Sequence, residues 1–152
     1  MDIAQKLKEL GWTLPPAPKP IAAYIPAVRS GNLLFVSGQL PLRDGKLLAS
    51  GPVPSAVSVE LAQQAAAQCA INALSIFLDQ VGDWNQLSRI VRIGVFVQSD
   101  EKFSEQAKVA NGASELLQQL LGDAGRHARA AVGVNALPLN AAVEIEFLFE
   151  IR

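Results

Sequence analysis

The residues with the most chemical content lie in the last stretch of the chain, "GRHARAAVGVNALPLNAAVEIEFLFEIR", residues 125–152. Arg126, His127 and Arg129 open one apolar run, and Glu144 interrupts a second. An arginine entering a sheet needs an anion, because a guanidinium withdrawn from water is costly unless paired. That anion is either a structural carboxylate or a substrate. Upstream, Tyr24 and the "SGQ" of Ser37 to Gln39 extend the set. Taken singly, each residue also has a structural reading: Tyr24 as a packing aromatic, Ser37 and Gly38 as a bulge, Arg129 and Glu144 as an ion pair.

Several chemistries lack their residues. With one histidine, one cysteine and no HExxH or paired aspartate cluster, no metal ligand set can be assembled, so a metal hydrolase is not expected. A serine triad is not expected either, because His127 has no G-x-S-x-G or comparable nucleophile context; a lone loop histidine is ordinarily solvated or capping. Gly-rich phosphate loops are absent from the sequence. Cys69, among alanines in a helical pattern, reads as a small buried hydrophobe.

The net charge of −1 and the scattered lysines and arginines lack the basic stripe that binding to a phosphate backbone requires, so nucleic acid is not an expected partner. Half of the 152 residues are hydrophobic, a balance that leaves apolar surface to hide in an oligomer. The N-terminus "MDIAQKLKELGW" alternates charged and apolar residues, which argues against a secretory signal or a membrane span there and for a cytoplasmic protein. The length fits a single domain over 1–152, with 1–20 as an N-terminal helix and proline-rich connector.

The elements that must position these residues follow from periodicity. Residues 2–10 form a short amphipathic helix with Ile3, Leu7 and Leu10 on one side and Gly11 as its stop. "TLPPAPKPIAAYIP" is a surface connector, since its prolines remove donors and hold an extended backbone. "LLFVSGQLP" is a strand, and "LRDGKLL" turns through Asp44 and Gly45 into a second short strand to make a hairpin. From Ser58 to Val81 apolar residues recur at helical spacing, and Gly82 ends that helix. Residues 89–99 are a β-branched strand fit for the centre of a sheet. A helical region follows to Gly122, with Ser99 or Asp100 as cap and a bend or break at Gly112.

The last two strands alternate. In 130–136, Val132 and Val134 share one side, with Arg129, Ala131, Gly133 and Asn135 on the other; in 141–151, Val143, Ile145, Phe147 and Phe149 oppose Glu144, Glu146, Leu148 and Glu150. A turn at "LPLN" pairs the two strands, which puts Arg129 and Glu144 on one half-polar face. If that turn is centred on Pro138 and Leu139, the two lie about four residues out of opposition, roughly 13 Å along the strands. The order of elements predicts an α+β sandwich, a mixed sheet with two helices on one face.

The tyrosine thirteen residues before "SGQLP", together with "FVQSDEKF", "HARAAVGVNALP" and "VEIEF", resembles the RidA family, also called YjgF, of reactive-intermediate imine deaminases. The resemblance runs over most of residues 21–152. It implies a chorismate-mutase-like core and a homotrimer with active sites in the clefts between subunits. It also implies hydrolysis of small 2-imino or 2-enamino acids to 2-keto acids and ammonia, with no metal or cofactor.

Carried over, the family arginine falls on Arg129, which would clamp the substrate carboxylate in bidentate fashion. The family glutamate falls on Glu144, which would hold and polarise the attacking water. Tyr24 and Ser37 match the family tyrosine and serine, and Gly38 offers a backbone donor. Asn111 stands for the family's helix asparagine. Ala131 occupies the position where many members carry a cysteine, so any role of that thiol is gone. The N-terminal helix and connector mark a longer subgroup. Two other functions accompany the resemblance: a binding protein for small carboxylates without turnover, and the endoribonuclease label some relatives carry.

Overall fold

The computed structural model describes residues 2–19 and 23–152. Helix α1 (Ile3–Glu9) is capped by Asp2, whose side chain accepts from the Gln5 amide at 3.0 Å, and it buries Ile3 and Leu7 completely. Leu10, expected on the buried side, is 44% exposed because the helix has already ended and the chain turns at Gly11 with φ +84°. The Lys6 ammonium reaches the Leu120 carbonyl at 3.1 Å, near the C-terminal end of the second long helix, where a cation is favoured. The proline connector carries no regular structure through Lys19, and its residues 20–22 lie outside the described ones. Its Pro15 carbonyl accepts from the buried Ser75 hydroxyl at 2.7 Å, so the arm is fastened to the helix layer.

Beyond the arm come strands β1 (Ala27–Ser30) and β2 (Leu33–Gln39), the hairpin β3 (Leu42–Arg43) and β4 (Lys46–Leu47), and helix α2 (Val59–Val81). They are followed by strand β5 (Leu87–Gln98), helix α3 (Gln106–Leu121), strand β6 (Ala128–Val134) and strand β7 (Val143–Ile151). The main sheet has the order β1-β2-β7-β5-β6, antiparallel except for the parallel pair β5 and β6. The α+β expectation of a mixed sheet under two helices holds. The Asp44–Gly45 hairpin forms with both turn residues at positive φ, as a two-residue turn of this kind requires, but it stands apart from the main sheet. Strand β2 pairs instead with β1 and β7.

α2 is capped as its sequence predicts: the Ser58 hydroxyl accepts from the Leu61 amide, and Gly82 closes it at φ +84°. By length and composition α2 could cross a membrane, yet 78% of its most apolar window is buried here against the sheet and α3. Cys69 is fully buried on it, and that burial, with the Glu144 charge second, pushes the thiol pKa up.

α3 corrects two expectations. It runs unbroken through Gly112, because the glycine serves close packing: a Cβ there would collide with the Gln63 carbonyl of α2. It also begins later than expected, so neither Ser99 nor Asp100 caps it; the Asp100 carboxylate instead accepts from the Ser55 amide and hydroxyl at 2.7 and 2.8 Å. Gly112→Ala should therefore destabilise the fold by about 1–3 kcal/mol despite alanine's higher helix propensity, because helix contact against backbone has nowhere to relax. Urea unfolding of that variant, compared with an alanine substitution at the exposed Gln118, checks it.

The pairing of the last two strands is also corrected. The 3-10 turn Pro138–Asn140 lies between them, with Leu139 and Asn140 at positive φ, but β6 and β7 are not neighbours. After α3 the chain returns parallel to β5 as the outer strand β6, then crosses the end of β5 so that β7 inserts between β5 and β2. The Gln98 amide, donating to the Ala142 carbonyl at 2.8 Å, marks the crossing.

Candidate functional site

Strand register decides which of the proposed residues can meet. Ile93 of β5 pairs with Arg129 on one side and Phe147 on the other; Ile93 is fully buried, so Arg129 lies on the side covered by helices. Phe96, three residues on, pairs with Val132 and with Glu144, which belong to the open face. The expectation that Arg129 and Glu144 share a face therefore fails. Within one chain they lie on opposite sides of the sheet, about 10 Å apart across the strands and about 10 Å along them. Neither takes part in an ion pair among the described residues, which removes the structural-pair reading.

The helix-side group is built at the outer strand β6. One Arg129 nitrogen, Nη1, donates to Asn111 Oδ1 at 2.9 Å and to Ser114 Oγ at 3.0 Å, both on α3. Asn111 and Ser114 are three residues apart, which sets them on one face of the helix. Ala131 lies two residues beyond Arg129 on the same side and is half-buried opposite Val95. His127, read from sequence as a solvated or capping residue, is half-buried and bonded through both ring nitrogens: Nδ1 lies 2.6 Å from the Gly125 carbonyl and Nε2 lies 2.8 Å from Ser114 Oγ. Burial, then the Arg129 charge, holds the imidazole below its ordinary pKa, against the raising effect of the Gly125 carbonyl bond. Ser114 was not singled out by the sequence reading. Its signal was there, as a second polar residue one turn after Asn111 among helix positions that are otherwise buried and apolar.

The open-face group sits where β2 meets β7. The ladder between them shifts register between Val36 and Gln39, so the bulge expected from "SGQ" is present. There the backbone of Gly38 passes so close to Glu144 that an added Cβ would lie 2.5 Å from the carboxylate oxygen Oε1. The Ser37 hydroxyl donates to the Ile25 carbonyl at 2.9 Å, and the Ser37 amide to the Pro26 carbonyl at 2.9 Å. That pair of bonds fixes the segment next to Tyr24. Tyr24 is 59% exposed, so it is not a core-packing aromatic. The Glu144 carboxyl is half-buried, and burial, with the Glu146 charge second, raises its pKa from the ordinary glutamate value. Glu146 itself pairs with Arg92 at 3.3 Å. Among the described residues no group of histidine, cysteine, aspartate or glutamate is placed to hold a metal ion.

A mixed sheet with two helices on one face, a bulged second strand against a half-buried glutamate of the central strand and an arginine on the outer strand define an α+β protein of the RidA type. The chain belongs to the Endoribonuclease L-PSP family, whose model matches residues 15–151. It is similar to protein TCP17 of Trypanosoma cruzi, 43% identical over 99% of this chain and 94% of that protein. It is also similar to a 2-iminobutanoate/2-iminopropanoate deaminase of Dermatophagoides farinae, 29% identical over 91% of this chain and 93% of that protein. Among solved structures, that of the Agrobacterium tumefaciens protein Atu1372, of unknown function, matches with a TM-score of 0.94 at 48% identity over 99% and 92% of the two chains. That match spans the N-terminal arm as well.

Proposed function

We propose that this chain hydrolyses small 2-imino or 2-enamino acids to 2-keto acids and ammonia, as one RidA-like domain over 1–152. The sites would lie in clefts between copies of the chain arranged as a chorismate-mutase-like homotrimer. The observation that carries the reading is the state of Arg129. Both Nη1 hydrogens are engaged by neutral acceptors, and among the described residues the Nε and Nη2 hydrogens have no partner. The edge left over is the fork that meets a carboxylate in bidentate fashion.

The open face supplies the remainder. Glu144 stands beside Gly38, Ser37 and the Tyr24 segment, and the surface around it carries Val28, Phe35 and Val132, 52%, 48% and 46% exposed. Such a face favours burial against another copy. Because the arginine and glutamate groups lie on opposite sides of one chain, a joint site needs Arg129 from one copy and Glu144 from the next. A contact between two different patches is heterologous, and it closes into a trimeric ring when each copy is turned by a third of a rotation from the last.

In that cleft the chemistry needs little. Arg129 holds the substrate carboxylate, and the Glu144 carboxylate takes a proton from water as the oxygen attacks the imine carbon. The C=N electrons pass to nitrogen, which takes up the proton that Glu144 removed from water; Glu144 then carries the hydroxyl proton to the same nitrogen as the carbon–nitrogen bond breaks, so that ammonia leaves, the ketone forms and the carboxylate is restored. Gly38 leaves room for the glutamate, Ser37 fixes the strand beside Tyr24, and Asn111 holds the arginine. Ala131 can contribute through its backbone alone.

Ammonia release from freshly generated 2-iminobutanoate, measured beside the mass in sedimentation equilibrium, tests the reading. Acceleration over buffer by a particle of three chains is expected. Retention of 2-oxobutanoate without acceleration would point to a binding protein, metal-independent cleavage of a transcript to a ribonuclease, and a monomer would remove the shared cleft.

A further inference from the structure

We propose that Ser114 and His127 are positioning residues for Arg129, forming a hydrogen-bond chain from the Gly125 carbonyl to the guanidinium that fixes which edge of the arginine is left to a ligand. The inference rests on the reading of Arg129 as a carboxylate clamp. Each end of the chain can act in only one sense, so with a neutral imidazole between them every proton in it is determined. The Gly125 carbonyl only accepts, so His127 Nδ1 carries a hydrogen at 2.6 Å. A neutral imidazole then presents Nε2 as an acceptor, and Ser114 Oγ donates to it at 2.8 Å. The guanidinium only donates, so Ser114 Oγ accepts from Arg129 Nη1 at 3.0 Å.

Ser114 is 6% exposed, so the links run where water competes poorly, and bonds in series polarise one another. Asn111 takes the second Nη1 hydrogen at 2.9 Å and fixes the guanidinium plane. A guanidinium held at one nitrogen by two acceptors on a single helix face cannot rotate its fork away from the Nε–Nη2 edge without breaking both. This arrangement recruits a serine and a histidine that the proposed hydrolysis does not otherwise use. It resembles a catalytic dyad in spacing, yet the arginine occupies the serine oxygen where a reacting carbonyl would have to approach.

His127 is the only histidine in the chain, so its nitrogen resonances need no assignment. In the free protein, 15N spectra should show the neutral Nδ1–H tautomer, the one less favoured by a free histidine side chain. The Arg129 Nη hydrogens should exchange slowly, should lose that protection in Ser114→Ala and His127→Leu, and should keep it in His127→Gln, whose amide oxygen can accept from Ser114. Pyruvate affinity should fall about tenfold in the first two variants and stay within about threefold in the third. An Nε2–H tautomer, or unchanged Arg129 exchange in Ser114→Ala, would overturn the chain irrespective of any ligand. Wild-type protein that takes up no pyruvate while the spectra come out as expected would instead remove the clamp reading and leave the positioning of Arg129 standing. Variants with equal loss of pyruvate affinity in His127→Gln and His127→Leu would also count against it, because a merely steric role for the ring does not distinguish an acceptor from a hydrocarbon.

Discussion

Arg129→Ala is expected to lower imine hydrolysis by roughly 10²- to 10⁴-fold, the worth of two charge-assisted hydrogen bonds to a carboxylate, and to leave unfolding within about 1 kcal/mol of wild type. The second half of that expectation comes from the partners the arginine has in the free chain. Its Nη1 hydrogens meet the neutral oxygens of Asn111 and Ser114, and among the described residues no carboxylate pairs with it. Removing it strands no buried charge, and the Ser114 hydroxyl keeps its bond to His127. Had Arg129 been paired with Glu144 inside the sheet, loss of one partner would have cost on the order of 3–5 kcal/mol. Thermal unfolding run beside pyruvate calorimetry separates the cases. Arg129→Lys is the sharper probe, because it keeps the charge and loses the fork; it should recover little of the affinity. A large loss of stability with pyruvate binding intact would refute the clamp.

The helices and the longer strands were legible because their periods are strong. The 3.6-residue recurrence from Ser58 to Val81 marks a helix expected to pack on one face, which the structure instead buries all round from Ala65 to Phe77, Gln68, Asn72 and Ser75 included; the alternation of Val143, Ile145, Phe147 and Phe149 survives with its buried side as expected. Strand β1 was not found, because its four residues give a periodicity too short to read and follow directly on an extended proline segment. The pairing of β6 with β7 failed for a different reason. Periodicity within a strand says which residues share a side, but not which strand lies next to it, and "LPLN" between two strands has the composition of a hairpin turn. Parallel pairing across an intervening helix leaves no local mark on either strand.

The same distinction governs the site. The types of Arg129, Glu144, Ser37, Gly38 and Tyr24 could be read from the sequence, and so could the bulge at "SGQ". What could not be read was that β7 inserts next to β5 and sends Glu144 to the open face, while the parallel β6 turns Arg129 toward α3. Gly112 shows how one residue type hides two roles. Helix propensity marks it as a weak point, and only the Gln63 carbonyl beside it reveals a contact that needs the missing side chain.

Glu144→Gln should reduce imine hydrolysis by roughly 10²- to 10⁴-fold while pyruvate binding at Arg129 persists, since it removes the base and leaves the clamp. Its effect on stability has a definite sign. Burial and then the Glu146 charge raise the carboxyl's pKa in the folded chain, so the folded state binds that proton more readily than the unfolded one. The favourable contribution is fully present below the ordinary carboxylate value and is lost as pH rises through the raised value. The neutral amide should therefore equal or exceed wild type in stability above that window. The decisive form of the experiment mixes the two dead variants. If each cleft takes its arginine from one chain and its glutamate from the next, trimers reassembled from equal amounts of Arg129→Ala and Glu144→Gln should recover about one quarter of wild-type activity, the chance that both contributing residues are intact. If both residues act from one chain, every cleft in the mixture lacks one of them and no activity returns. The opposite faces on which Arg129 and Glu144 lie in the single chain make recovery the expected result, and its absence after verified subunit exchange would rule out the shared cleft.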